Sequence, residues 1–143
     1  MELDQLLPGA FAAEGAVSAE TRPGYSGYQV APDRLVEVAT ALRDQGGYSY
    51  LSAATAVDYP DKNAVEMVYH LYRPTGGPGA VLHVQAPRDA AVLPSLVPVY
   101  PGAEFQEREA WDLMGIRFTG HPNLKRLLLW EGFEGHPLRR DYL

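Results

Sequence analysis

The chain has 143 residues, a formal net charge of −6, 46% hydrophobic and 21% charged residues, and no cysteine. That length suits one domain with one core, and the acidic balance argues against non-specific nucleic-acid binding, which needs a basic face to displace counterions, and against docking on an anionic membrane surface. Without cysteine this sequence can make no disulfide, thiol nucleophile, zinc–thiolate site or ordinary cysteine-held iron–sulfur cluster.

The first residues, Met1-Glu2-Leu3-Asp4-Gln5-Leu6-Leu7, are acidic and run into Pro8-Gly9, unlike a secretory leader with its basic start and apolar run. No stretch approaches the roughly 18 apolar residues of a membrane span. The expected location is the cytoplasm, or the cytoplasmic face of something larger. Residues 1–24 are weakly patterned and read as one short helix and a loop around Arg22-Pro23-Gly24. Tyr25 to Val30 is a candidate first strand. Pro32 and Asp33 suit a helix start, Leu35, Val38, Ala39 and Leu42 keep helical spacing, and Gly46-Gly47 supplies a stop.

Tyr48 to Tyr59 is rich in Tyr, Ala, Val and Thr, and reads as a strand ending in the turn Pro60-Asp61-Lys62-Asn63. Ala64 to Tyr72 alternates, with Val65, Met67, Tyr69 and Leu71 on one face and Glu66, Val68, His70 and Tyr72 on the other. After the loop Pro74 to Gly79, Ala80 to Ala86 alternates again, Ala80, Leu82 and Val84 opposing Val81, His83 and Gln85. An antiparallel meander with one packed and one wetter face is the economical reading. A short helix is expected near Ala90–Leu96, curtailed by Pro94 and Pro98. Ala103 to Met114 reads as a helix closed by Gly115. Ile116 to Leu143 holds apolar residues without a sustained period, and such a tail needs burial against the domain and a partner.

On the 103–114 helix, Ala103, Ala110, Trp111 and Met114 form an apolar stripe at about 100° per residue, and Glu107 falls inside it. Arg108 and Asp112 sit together on the opposite side, four apart, able to pair. A carboxylate in an apolar stripe is costly unless it meets a cation or several donors. Arg117, Arg126, Arg139 and Arg140 are the available cations. The leading expectation is a buried Glu–Arg lock that staples the tail to the domain; an ion pair across a subunit interface and a general acid or base are the alternatives.

Four histidines raise a metal alternative. A regular hairpin across 74–79 would set His70 opposite His83, with Glu66 on the same face, a ligand set for zinc or iron. His121 and His136 lie in two Gly-His-Pro triplets, rigid bends whose simplest role is a turn with the imidazole on backbone. No Gly-x-Ser-x-Gly elbow surrounds any serine, and no phosphate-cradling glycine motif is present.

Glu107-Arg108-Glu109, Asp112, Gly115-Ile116, Phe118, Gly120-His121-Pro122, Leu124, Arg126 and Gly135-His136-Pro137-Leu138-Arg139-Arg140-Asp141-Tyr142 follow one another in fixed spacing over about 36 residues. This series resembles the signature of the 30 kDa subunit family of respiratory complex I, NADH:quinone oxidoreductase. Phe105 stands where that family commonly has Trp, Trp130 where Pro is usual, Phe133 near another usual Trp, and Arg140 where Lys is usual; aromatic bulk or charge is largely kept. The resemblance implies a structural subunit of the peripheral arm. It would lie beside the quinone-site subunit of the 49 kDa type and the PSST-type iron–sulfur subunit, on the cytoplasmic side of the membrane and without membrane insertion. It implies no cofactor on this chain, although the whole complex uses NADH, FMN, iron–sulfur clusters and quinone.

The expected fold is α+β: a single domain with helices packed on one face of an antiparallel or mixed sheet of about three to five strands, and an extended C-terminal tail. Residues 1–118 are expected to form the core ending in the Glu-Arg-Glu helix, and 119–143 the partner-docking signature tail of the same domain. The equivalent subunit of a membrane-bound hydrogenase or of an F420H2 or ferredoxin dehydrogenase is the related alternative. A stand-alone metal-dependent hydrolase is the alternative from another class.

Overall fold

The computed structural model describes residues 17–22 and 27–121. Five strands form one mixed sheet in the order β1-β2-β5-β4-β3: β1 Val17–Ala19, β2 Tyr28–Val30, β3 Tyr50–Tyr59, β4 Ala64–Tyr72 and β5 Ala80–Pro87. The expected meander is its centre, since β4 pairs antiparallel with both β3 and β5. The sheet then grows past β5, where β2 pairs parallel and β1 returns antiparallel on β2. β1 is a strand in a segment whose weak patterning suggested one short helix and a loop around Arg22-Pro23-Gly24, and β2 begins at Tyr28, the predicted start at Tyr25 lying outside the described residues.

A short turn of helix over Pro32–Arg34 leads into α1, Leu35–Asp44, whose Leu35, Val38, Ala39 and Leu42 are all buried. Gly46 N–H then donates to the Ala41 and Leu42 carbonyls and ends the helix. On β4 the alternation holds: Val65, Met67, Tyr69 and Leu71 are wholly buried and lie opposite Ala86, Val84, Leu82 and Ala80 of β5. Together with the α1 residues and with Ala103, Ala110 and Met114 they form one core cluster. Each large side chain buried there contributes about 1.5–3 kcal/mol of transfer free energy. The other face is not simply wet. Glu66 and His83 on it are 0% and 2% exposed, which the alternation alone did not foretell.

The expected helix near Ala90–Leu96 is instead a strand, β6 Val92–Pro94. Prolines 94 and 98 remove the donors a helix would need, and Leu93 buries a single side chain opposite Phe118 of β7, Arg117–Thr119. The two short strands pair parallel, and the crossover a parallel pair requires is α2, Ala103–Met114, with the predicted boundaries. Gly115 closes α2 in the left-handed conformation, φ 78°, its N–H on the Trp111 carbonyl.

Gly27, at φ +100°, lies against β5. A Cβ there would meet the Val81 carbonyl oxygen and stand 2.7 Å from the Val81 Cβ. Gly27→Ala is expected to lower unfolding free energy by about 2 kcal/mol or more, combining backbone strain with a clash on a central strand. Urea unfolding of the two proteins checks this; equal midpoints would show that the β2–β5 approach is loose.

Candidate functional site

Two buried polar clusters stand out, one on each side of the sheet. The first is built on α2. Its stripe of Ala103, Glu107, Ala110 and Met114 packs into the core and carries the Glu107 carboxylate in with it, 0% exposed. The Ser95 hydroxyl donates to Oε1 at 2.6 Å and the Leu96 N–H donates to Oε2 at 2.8 Å. His121 Nε2 lies 4.0 Å from Oε1 and 3.0 Å from the Glu104 carbonyl, its side chain wholly buried. Burial pushes the Glu107 carboxyl above its ordinary value, opposed by the bonds from Ser95 and Leu96 and by the His121 ring. The Tyr69 hydroxyl, from β4, is buried without a hydrogen-bond partner, and burial followed by the Glu107 charge pushes it well above its usual range.

Glu107 is thus a lock, but among the described residues its partners are not arginine. Arg117 is exposed on β7 and stacks over Trp111 at 5.2 Å. The lock ties α2 to the segment after β6 and to the turn that begins the tail. Ser95 was missed because it precedes Glu107 by a crossover rather than a helical turn. Asp112, expected opposite the stripe, is buried at 0%. Arg108 is half-buried, with its Nε lacking a hydrogen-bond partner, and Glu109 is exposed. Phe118 is 2% exposed. Gly120, at φ 82°, opens the bend in which the His121 N–H meets the Phe118 carbonyl, so Gly120 and His121 form a turn with the imidazole on backbone. Pro122, Arg126, Gly135, His136, Pro137, Leu138, Arg139, Arg140, Asp141 and Tyr142 lie outside the described residues.

The second cluster surrounds Glu66. The hairpin register pairs His70 with Val81 and His83 with Val68, two positions away from the expected His70–His83 facing pair. The loop between β4 and β5 sets this register, and its composition did not reveal it. Glu66 does meet His83, at 3.1 Å from Nδ1, but the remaining partners are organic. Arg22 Nη2 donates to both Glu66 oxygens at 3.0 Å and to Glu20 at 2.8 Å. Gln85 donates to Glu66 at 2.9 Å and Gln29 to Glu20 at 2.6 Å. For Glu66, burial raises the carboxyl, and the bonds from Gln85, Arg22 and His83 together bring it below its usual value. The Arg22 guanidinium bonded to Glu20 lowers that carboxyl to about 2, against burial. Arg22 itself is held charged, chiefly by its bond to Glu20. Among the described residues no group of three metal-ligating side chains is placed to hold an ion. In both clusters the buried carboxylates receive hydrogen bonds from other elements of the fold and so lock those elements together.

With that geometry in view, the likenesses to known proteins are informative. The profile of the family described as "Respiratory-chain NADH dehydrogenase, 30 Kd subunit" matches residues 28–143. The C subunit of the NADH-quinone oxidoreductase of Moorella thermoacetica is 42% identical over 142 residues, 99% of this chain and 90% of that one. The protein of the same name from Phenylobacterium zucineum is 43% identical over 128 residues, 82% of this chain, which spans 61% of that protein's length. Among solved structures, a trypsin-resistant fragment of Nqo5 is similar with TM-score 0.65 and 29% identity, covering 87% of this chain and 100% of that one. The fold also matches a chain of the archaeal membrane-bound sulfane sulfur reductase, TM-score 0.78 at 23% identity, over 97% of this chain and 84% of that one.

Proposed function

Because the chain belongs to the family of the respiratory-chain NADH dehydrogenase 30 kDa subunit, we propose that it is a non-catalytic, cofactor-free structural subunit of the peripheral arm of an NADH:quinone oxidoreductase. Its work is to hold neighbouring subunits in place for electron transfer to quinone. The observation that carries this reading is the 42% identity over 142 residues to the Moorella thermoacetica protein. Two physical features support it. The chain lacks cysteine, so thiolate ligation of an iron–sulfur cluster must come from other chains. The buried acids Glu66 and Glu107 are both held by protein donors, as structural groups are. The signature residues Glu107, Gly115, Phe118 and His121 then act by fixing where the tail leaves the domain.

The partners proposed are the quinone-site subunit of the 49 kDa type and the PSST-type iron–sulfur subunit, on the cytoplasmic side of the membrane. No helix among the described residues is long and apolar enough to cross a membrane. An obligate contact of this kind buries on the order of 2,000 Å² or more. The test is a tagged pull-down from gently solubilised native membranes with the bound proteins identified by mass spectrometry. Recovery of a quinone-site subunit, an iron–sulfur partner and NADH-oxidising subunits is expected. Recovery with hydrogenase-type or F420-type partners would move the chain to a related complex, and a chain recovered alone would end the scaffold reading.

A further inference from the structure

Along the flank of α2 nearest β3 runs a slot of about 100 Å³, lined chiefly by Ala54, Ala56, Gln106, Glu109, Ala110 and Met114. It exists because β3 offers small side chains there and because Gln106 reaches across, its side-chain carbonyl accepting the Ala54 N–H. That space is large enough for several waters, since one needs only about 10–15 Å³. At its rim Glu109 is exposed and makes no ion pair among the described residues. Its sequence neighbour Arg108 cannot face it, because adjacent helical residues diverge. Phe105, one turn earlier and therefore beside Glu109 on the helix surface, is 55% exposed. A small-residue slot, an unpaired carboxylate and a bare aromatic ring together match one chemistry. A guanidinium pairs with a carboxylate through a planar fork and stacks on rings, while its stem lies on apolar surface. The −6 charge of the chain complements it.

We propose that this slot receives an arginine side chain of a neighbouring protein subunit, its stem against Ala56, Ala110 and Met114, its guanidinium paired with Glu109 and covered by Phe105. The inference rests on the reading of the chain as a subunit of a larger assembly, and names one contact by which it is held there.

The test uses the tagged full chain in its native assembly, as wild type, Glu109→Gln and Phe105→Ala. Retention of the chain is measured during washes of rising KCl concentration, alongside thermal melting of each purified chain. Glu109→Gln is expected to weaken attachment about tenfold or more at low salt and to flatten its salt dependence, because the screened charge pair is gone. Phe105→Ala weakens attachment while keeping that dependence. Both purified variants melt like wild type, since the two side chains are exposed. Glu109→Gln retained as tightly as wild type, with the same salt response, overturns the slot while leaving the assembly reading intact. Weaker attachment matched by an equal loss of melting temperature assigns the effect to folding and overturns it too. A carbodiimide cross-link from Glu109 to a partner amine identifies lysine rather than arginine and overturns the stated chemistry. A wild-type chain that recovers no partner overturns both readings.

Discussion

Glu107→Ala lowers the unfolding free energy by about 2–4 kcal/mol, roughly 10 °C in melting temperature for a chain of this size. The carboxylate is the shared acceptor for the Ser95 hydroxyl and the Leu96 N–H, both in a site closed to water. Removing it strands two buried donors, each at about 1–3 kcal/mol, and leaves a void under α2. Relief of the carboxylate's own desolvation offsets part of that. Glu107→Gln keeps one acceptor oxygen, for the Leu96 N–H, and sets its amide N–H against the Ser95 hydroxyl, which accepts instead of donating, so it loses less than the alanine variant, about 1 kcal/mol. The pH response separates charge from shape. A carboxyl whose folded value is raised binds its proton more tightly in the folded state, so its stabilising effect is complete below its unfolded value, 4.5, and is lost as pH rises through the folded value. Wild type therefore loses stability over that window and Glu107→Gln does not. Calorimetric melts of the three proteins from about pH 4 to 8 measure this; an alanine variant that melts with wild type would show that α2 is not locked through Glu107.

Arg22→Ala is the second large loss, about 3–5 kcal/mol, because it leaves the Glu20 and Glu66 carboxylates buried together without their cation. The Glu66 side chain is 0% exposed and that of Glu20 is 2% exposed, so with Arg22 in place the guanidinium, not water, balances both carboxylates. The acid limb carries the sign. Glu20 titrates near 2 in the fold against an ordinary 4.5, so its contribution is present above 4.5 and is lost as pH falls from there towards 2. In Arg22→Ala the two carboxylates repel and take up protons more readily when folded. The deficit of the variant is therefore expected to shrink as pH falls through that window. Urea titrations of both proteins at about pH 7 and pH 3 decide it. A deficit that stays constant with pH would assign the loss to the Arg22 stem rather than to its charge.

The element types at the centre of the fold were legible because each is set by a short period. The spacing of Leu35, Val38, Ala39 and Leu42, the alternation from Val65 to Leu71, and the stop at Gly115 all act within a turn or two of chain. The same locality made Glu107 visible as an acid inside an apolar stripe, and made the spaced Glu-Arg-Glu, Gly-Ile and Gly-His-Pro series readable as a family resemblance.

What remained hidden depends on residues far apart in the chain. The parallel β2–β5 contact, the β6–β7 pair, the register that sets His83 against Val68, and the choice of Ser95 and Leu96 over an arginine for Glu107 each join segments separated by a loop, a whole helix or, for β2 and β5, a helix and two strands. So does the Arg22–Glu66 contact, 44 residues apart, which turns an expected wet face into a buried one. The sequence by itself determined which segments are helix and strand in the core, and that Glu107 must find donors. Only the tertiary structure decided which donors, because burial makes a partner necessary but loop closure and strand register choose it.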